Sequence, residues 1–228
     1  MTNLYHTKCA SLLKALIISL TVLATGCAVQ QPYDYTALRA SNPKSILVIP
    51  PANQTVEVSA PYIFLSTITF PLAERGYYVY PVAVVDQLLK DNGLPTPAEM
   101  NSIPLDKIDE IINPDAVLYI TIDNWGQSYQ LIQSVATVSS SWKLVDTKTG
   151  QTLWEGKAYA QQKSGDGGGG IIGMLVAAAV EQVASAMDDK TPRLSRFANS
   201  AAVYNSHNGL LPGPYAPKPE PKESATPQ

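Results

Sequence analysis

Tyr129-Gln-Leu-Ile-Gln-Ser-Val-Ala-Thr-Val-Ser-Ser-Ser-Trp-Lys-Leu-Val145, then Asp146-Thr-Lys-Thr-Gly150, then Gln151-Thr-Leu-Trp-Glu-Gly-Lys-Ala-Tyr-Ala-Gln161, is the stretch that decides the fold. Thr, Val, Tyr and Trp dominate, and residues alternate. Val138, Trp142 and Leu144 share one face of the first segment, while Ser139, Ser141 and Lys143 share the other. Asp146 to Gly150 reads as a hairpin loop whose Gly accepts a positive φ. Asp115 to Ile122 supplies one more strand just before, so the centre of the chain is a three-strand meander. Asp123-Asn124-Trp125-Gly126 reads as the exit from that strand into a turn.

Upstream the pattern changes from alternation to helical spacing. Ser45-Ile-Leu-Val-Ile-Pro50 is a short buried strand, followed by a helix from about Pro61 to Arg75, with Gly76 at its end. Pro71 is expected to kink that helix or begin a second piece. Tyr77-Tyr-Val-Tyr80 is the next strand. The following helix places Val84, Val85, Leu88 and Leu89 opposite Asp86, Lys90 and Asp91. Thr96-Pro97-Ala98-Glu99 has the form of a capping box, and Leu105, Ile108, Ile111 and Ile112 fit a further helix stopped at Asn113-Pro114. Downstream, Gly165 to Gly170 leads to an apolar helix over Ile171 to Met187. Thr191-Pro192 opens the last helix, with Leu194, Phe197, Ala198 and Ala201 inward. The order βα, βαα, βββ, αα predicts a single α/β domain with a mixed sheet and helices packed on it.

The ends of the chain concern location. Residues 1–26 combine Lys8 and Lys14 with an apolar run from Ala15 to Thr25, which is a secretory signal. Ala24-Thr25-Gly26-Cys27 has the form of a bacterial lipoprotein cleavage box, with cleavage between Gly26 and Cys27 and a diacylglycerol, palmitate among its acyl chains, joined to the Cys27 thiol as a thioether. The bland reading is a plain secreted protein with a spare thiol at Cys27. Ala28 in the next position corresponds to an outer-membrane address. Residues 27–44 read as the lipidated N-terminus and tether, 45–205 as the α/β domain, and 206–228 as a Pro-rich, disordered tail carrying Pro212, Pro214, Pro217, Pro219, Pro221 and Pro227.

Composition narrows the function classes. The chain has 228 residues, 45% hydrophobic and 15% charged, with a formal net charge of −3. That balance gives no footprint for nucleic acid. Two Cys and two His leave no basis for a zinc site, and no cofactor or metal is expected. With Cys9 and His6 inside the signal, an imidazole-based catalytic arrangement would depend on His207 alone. Ser128 and Ser139 to Ser141 lack a base and are read as strand residues facing water. Asp115 and Asp123 flank one strand as the remaining acid–base pair to consider. The Gly165 to Gly173 run lacks the Lys and Ser/Thr of a phosphate loop. Gly169, Gly173 and Ala177 recur every four residues and would make a helix flank small enough for an oligomer contact; packing of that helix on the sheet is the plainer reading. Tyr33, Tyr35, Tyr77, Tyr78, Tyr80, Tyr119 and Tyr129 suit sheet faces and interfaces. A ligand pocket, if present, is expected near Trp125 and Tyr129.

Taken in order, the box at Cys27, Ile46-Leu-Val-Ile-Pro-Pro51, Pro71-Leu-Ala-Glu-Arg-Gly-Tyr-Tyr-Val79, Asn113-Pro-Asp-Ala-Val-Leu-Tyr119, Asp146-Thr-Lys-Thr-Gly-Gln-Thr-Leu-Trp154 and the glycines before Ile171 resemble an uncharacterised outer-membrane lipoprotein family, one member of which is a meningococcal vaccine antigen. The resemblance implies an α/β fold similar to the amino-terminal domain of TolB and to the curli-secretion lipoprotein, and a tendency to dimerise. It implies a non-enzymatic, lipid-anchored envelope protein that assists assembly, secretion or transport through protein contacts. The expected partners are the membrane through Cys27, a second copy, and other envelope lipoproteins. The alternative is a periplasmic module binding a ligand or peptidoglycan.

Overall fold

A mixed sheet of seven strands organises the computed structural model, which describes residues 31–129, 134–163, 171–172 and 191–217. The chain divides into two units, Met1–Pro32 and Tyr33–Gln228, and the fold described here belongs to the second. Its elements are α1 (Thr36–Ser41), β1 (Ser45–Val48), β2 (Ala52–Asn53), α2 (Ala60–Glu74), β3 (Tyr78–Val79), α3 (Val82–Asp91), α4 (Pro97–Met100), α5 (Leu105–Ile111), β4 (Ala116–Tyr129), β5 (Ser134–Asp146), β6 (Thr152–Lys163), β7 (Ile171–Ile172) and α6 (Thr191–Val203). The strand order is β3-β1-β4-β5-β6-β7, with β2 also on β4. β3, β1 and β4 run parallel, and β4 to β7 are antiparallel. This is the mixed α/β class expected from the sequence, with α1, β2 and β7 in addition.

Two cores lie on the two faces of the sheet. On one face, α2 and α6 bury Phe64, Ile68, Leu72, Leu194 and Ala198 against Ile46, Leu118, Ile120, Trp142 and Trp154. Leu65, Ile68 and Leu72 recur at three- and four-residue steps, so α2 turns one stripe to the sheet. On the other face, α3, α4 and α5 bury Val85, Leu89, Met100 and Ile108 against Leu47, Ile49 and Val117. Strand β1 is therefore buried on both sides, and its uninterrupted apolar run reflects that. Between α2 and α6, Thr67 Oγ1 lies 2.8 Å from Ser195 Oγ and accepts from Asn199 Nδ2 at 3.0 Å, a polar cluster inside an apolar layer.

Local chemistry sets the element ends. The Thr96 and Glu99 capping box is present in both directions. Gly76 closes α2 at φ +91°, and a methyl there would collide with the Ala216 backbone. Asn113 ends the α5 region at φ +53°, and Gly150 takes φ +70° in the β5–β6 turn. In that turn Asp146 accepts from Thr149, Lys148 and Ser41. Burial works to raise its pKa, but these hydrogen bonds outweigh it and hold the carboxyl below its ordinary value.

Several expectations are corrected. Pro71 neither breaks nor divides α2, which is one helix with Pro71 buried inside it. Val84 is exposed rather than inward, because Val85 and Leu89 alone form the buried line of α3. Strand β4 does not exit at Asp123 but continues to Tyr129 through a bulge between Ile122 and Asn124. Ile171 and Ile172 pair with Gln162 and Gln161 as a strand, not as the start of a helix; the rest of the Ile171 to Met187 segment lies outside the described residues. The fold also begins and ends beyond the limits 45 and 205: Leu38 of α1 is buried, and residues 205–217 form a strap on the domain. The strap is held by Arg75 Nε to Leu210 O, Tyr77 Oη to Leu211 O, Gly213 N to Arg75 O and Tyr215 N to Gly76 O.

Candidate interaction surface

The bulge in β4 determines what the open face of the meander displays. Before it, even-numbered Leu118, Ile120 and Ile122 point to the α2/α6 core; after it, odd-numbered Trp125 does. The extra residue keeps Trp125 opposite Val138 inside and Asn124 opposite Ser139 outside. Three cross-strand rungs result on the open face: Tyr119–Lys143–Glu155, Thr121–Ser141–Lys157 and Asn124–Ser139–Tyr159. Ser141 Oγ donates to Asp123 Oδ2 at 2.8 Å, and Asn124 Nδ2 to Ser139 Oγ at 3.0 Å.

Charge and burial differ along these rungs. Lys143, Glu155, Lys157 and Tyr159 are exposed, whereas Tyr119 is half-buried against the α3–α5 core. Burial pushes the Tyr119 phenol above its ordinary pKa. Among the described residues the ion pairs are Lys90–Asp86 and Lys107–Glu110, so Lys143 and Glu155 sit opposite one another without closing a salt bridge. A groove of about 780 Å³ joins this face to the β6 edge. Tyr33, Trp142, Gly156, Ala201, Ala202, Asn205 and Asn208 line its helix side.

Gly156 matters for that wall. The Trp154 indole lies across it, and any Cβ at this position would overlap the ring. Trp154 in turn stacks edge-on against Trp142 and donates Nε1–H to Asn208 O at 2.8 Å, tying the strap to the sheet. Tyr33 Oη accepts the Glu155 N–H at 2.8 Å, and Tyr35 Oη donates to Gly209 O at 2.6 Å.

The other residues singled out in the sequence separate widely. Asp115 and Asp123 are eight residues apart on one strand, about 26 Å at the usual rise, and cannot act on one substrate atom. Asp115 accepts from Lys44 N, Ser45 N and Ser45 Oγ, and so fastens β1 to β4. Ser140 is buried and accepts Trp142 Nε1–H at 2.7 Å, which corrects its assignment to water. His207 is exposed in the turn after α6. Trp125 is buried, with an unpartnered Nε1, and the groove described here lies around Tyr119 and Tyr159. Among the described residues, no three His, Cys, Asp or Glu side chains cluster as metal ligands, and no helix is long and apolar enough to cross a membrane. Gly26, Cys27, Gly169, Gly173 and Ala177 lie outside the described residues. Sequence reasoning missed the strap; its Leu210-Leu211 pair, ahead of the prolines, was the available signal.

The fold and groove define a mixed α/β domain whose antiparallel half has one covered and one open sheet face. The family model described as "Putative lipoprotein GNA1162-like" matches residues 33–215, and the chain belongs to that lipoprotein family. It is 41% identical over 216 residues to the lipoprotein NMB1124/NMB1162 of Neisseria meningitidis serogroup B, covering 92% of this chain and all of that one. The crystal structure of lipoprotein GNA1162 from Neisseria meningitidis is similar at 43% identity with a TM-score of 0.51, over 54% of this chain and 85% of that chain. PelC from Paraburkholderia phytofirmans, solved as a dodecamer, is similar at 12% identity and a TM-score of 0.41, over 70% of this chain and 82% of that one.

Proposed function

We propose that this protein is a non-enzymatic accessory lipoprotein of the outer membrane, held there by acyl chains on Cys27 and acting through contacts with other envelope proteins. The observation that carries the reading is membership of a lipoprotein family by a chain whose apolar N-terminal run ends in Gly26-Cys27. Several acyl chains on one residue give stable anchoring. The tether is the stretch between Cys27 and the folded unit that starts at Tyr33. Six residues reach at most about 20 Å, so the domain works close to the bilayer. The open face with its uncommitted charges is the surface such a protein offers to a partner.

Intact-mass analysis of the native protein tests the anchor. The expected product starts at Cys27 and carries the acylglycerol mass, and Cys27→Ser moves the protein from the detergent phase to the aqueous phase. An unmodified thiol on the native product overturns the proposal.

A further inference from the structure

Four consecutive main-chain carbonyls of the strap, at Asn208, Gly209, Leu210 and Leu211, each accept a hydrogen bond from a side chain elsewhere in the domain. The donors, in that order, are Trp154 Nε1 at 2.8 Å, Tyr35 Oη at 2.6 Å, Arg75 Nε at 2.6 Å and Tyr77 Oη at 2.8 Å. Further along, Gly213 N and Tyr215 N donate to Arg75 O and Gly76 O. These bonds are all made to the strap's backbone, whose groups any peptide carries. Its side chains commit less. Leu210 is buried and Leu211 packs on the core, whereas Pro212, Pro214, Tyr215 and Pro217 are exposed.

Aromatic side chains set against a proline-containing segment are a recurring means of peptide recognition, because proline stiffens the ligand beforehand. Here Pro212 biases Leu211 towards extended backbone. Two positions set the sequence that fits. The Leu210 side chain enters the core beneath α2 and α6, and a Cβ at Gly213 would collide with Gly76 O. We infer that the cradle of Tyr35, Arg75, Tyr77 and Trp154 is a binding site for a Leu-Leu-Pro-Gly segment of a partner protein, which the chain's own strap occupies until displaced. The hinge is the turn after α6, where Tyr204, Ser206 and His207 are exposed. The inference deepens the accessory reading by naming the partner's chemistry, and rests on it only for the source of the segment.

The test compares the isotope-labelled full chain with its Gly213→Val variant in detergent micelles. The valine lies on the strap, so it loosens the occupant and keeps all four donors. The probe is the peptide Asn-Gly-Leu-Leu-Pro-Gly-Pro-Tyr, acetylated and amidated. It should bind the variant about tenfold more tightly than the unaltered chain, where the tethered strap competes. At saturation the Trp154 indole and Arg75 Nε signals should return to their positions in the unaltered chain. A peptide with Val for its second Gly should bind about tenfold more weakly, as the collision at Gly76 O requires. Equal binding to both chains, no binding to the folded variant, or indifference to that Val would overturn the inference. So would movement of the same signals with protein concentration alone, which would give the cradle to a second copy. In the unaltered chain, the Gly213 and Tyr215 amides should exchange with solvent about a hundredfold faster than the Leu144 amide of β5. Equal rates would mean that the strap opens only with the whole domain, and would also overturn the inference. The Cys27→Ser chain should titrate identically, so loss of the anchor and loss of the cradle are read separately.

Discussion

The parallel half of the sheet and the antiparallel meander share strand β4 but differ in how they treat their surfaces. Around β1, helices cover both faces, and Ile46, Leu47, Val48 and Ile49 are all buried. Across β5 and β6 only the α2/α6 face is covered; the other displays Lys143, Glu155, Lys157 and Tyr159. The first half is fixed by its packing. The second holds its shape from one side and leaves the other available. Burial is thus concentrated on one face of β5 and β6, and substitutions on the two faces should differ in their effect on stability.

The largest effect is expected from Trp154→Ala on the covered face. It removes a fully buried indole and the bond to the strap, at a cost of about 3–5 kcal/mol by denaturant unfolding of the full chain. Next comes Tyr77, whose pKa burial pushes up to about 12. In the unfolded chain the phenol ionises near pH 10, so this group's stabilisation is complete below that value and is lost as pH rises from about 10 to 12. The loss is about 3 kcal/mol, and an unfolding series in Tyr77→Phe should lack it. Gly156→Ala should cost about 1–3 kcal/mol, because the methyl must displace the Trp154 ring. Lys143→Ala on the open face should change stability by less than about 0.5 kcal/mol. A Lys143 effect as large as that of Gly156 would break the distinction between the two faces.

The two halves were also unequally legible. Continuous apolar runs and capping signals belong to local chemistry, so β1, the Thr96–Glu99 box and the Asn113 stop stand where the sequence places them. The long alternation of β5 and β6 gave the meander. Beyond Ile122 the same logic failed, because a bulge reverses which parity faces the core, and nothing in Asp123-Asn124-Trp125 distinguishes a bulge from a turn. Pro71 misled for a related reason: burial against the sheet overrides a helix breaker's local preference. α1 and the strap were hidden because each is stabilised by residues distant in sequence. The groove was not legible because its walls come from β6, α6 and Tyr33, which only the tertiary fold brings together.

The bond from Tyr35 to Gly209 joins residues 174 positions apart. Contacts of such separation form late, since the intervening chain must first be ordered. A polypeptide made from its N-terminus would therefore expose an unfinished domain until the segment near Gly209 had followed. Tyr35, near the start of the folded unit, thus waits for a segment at its far end.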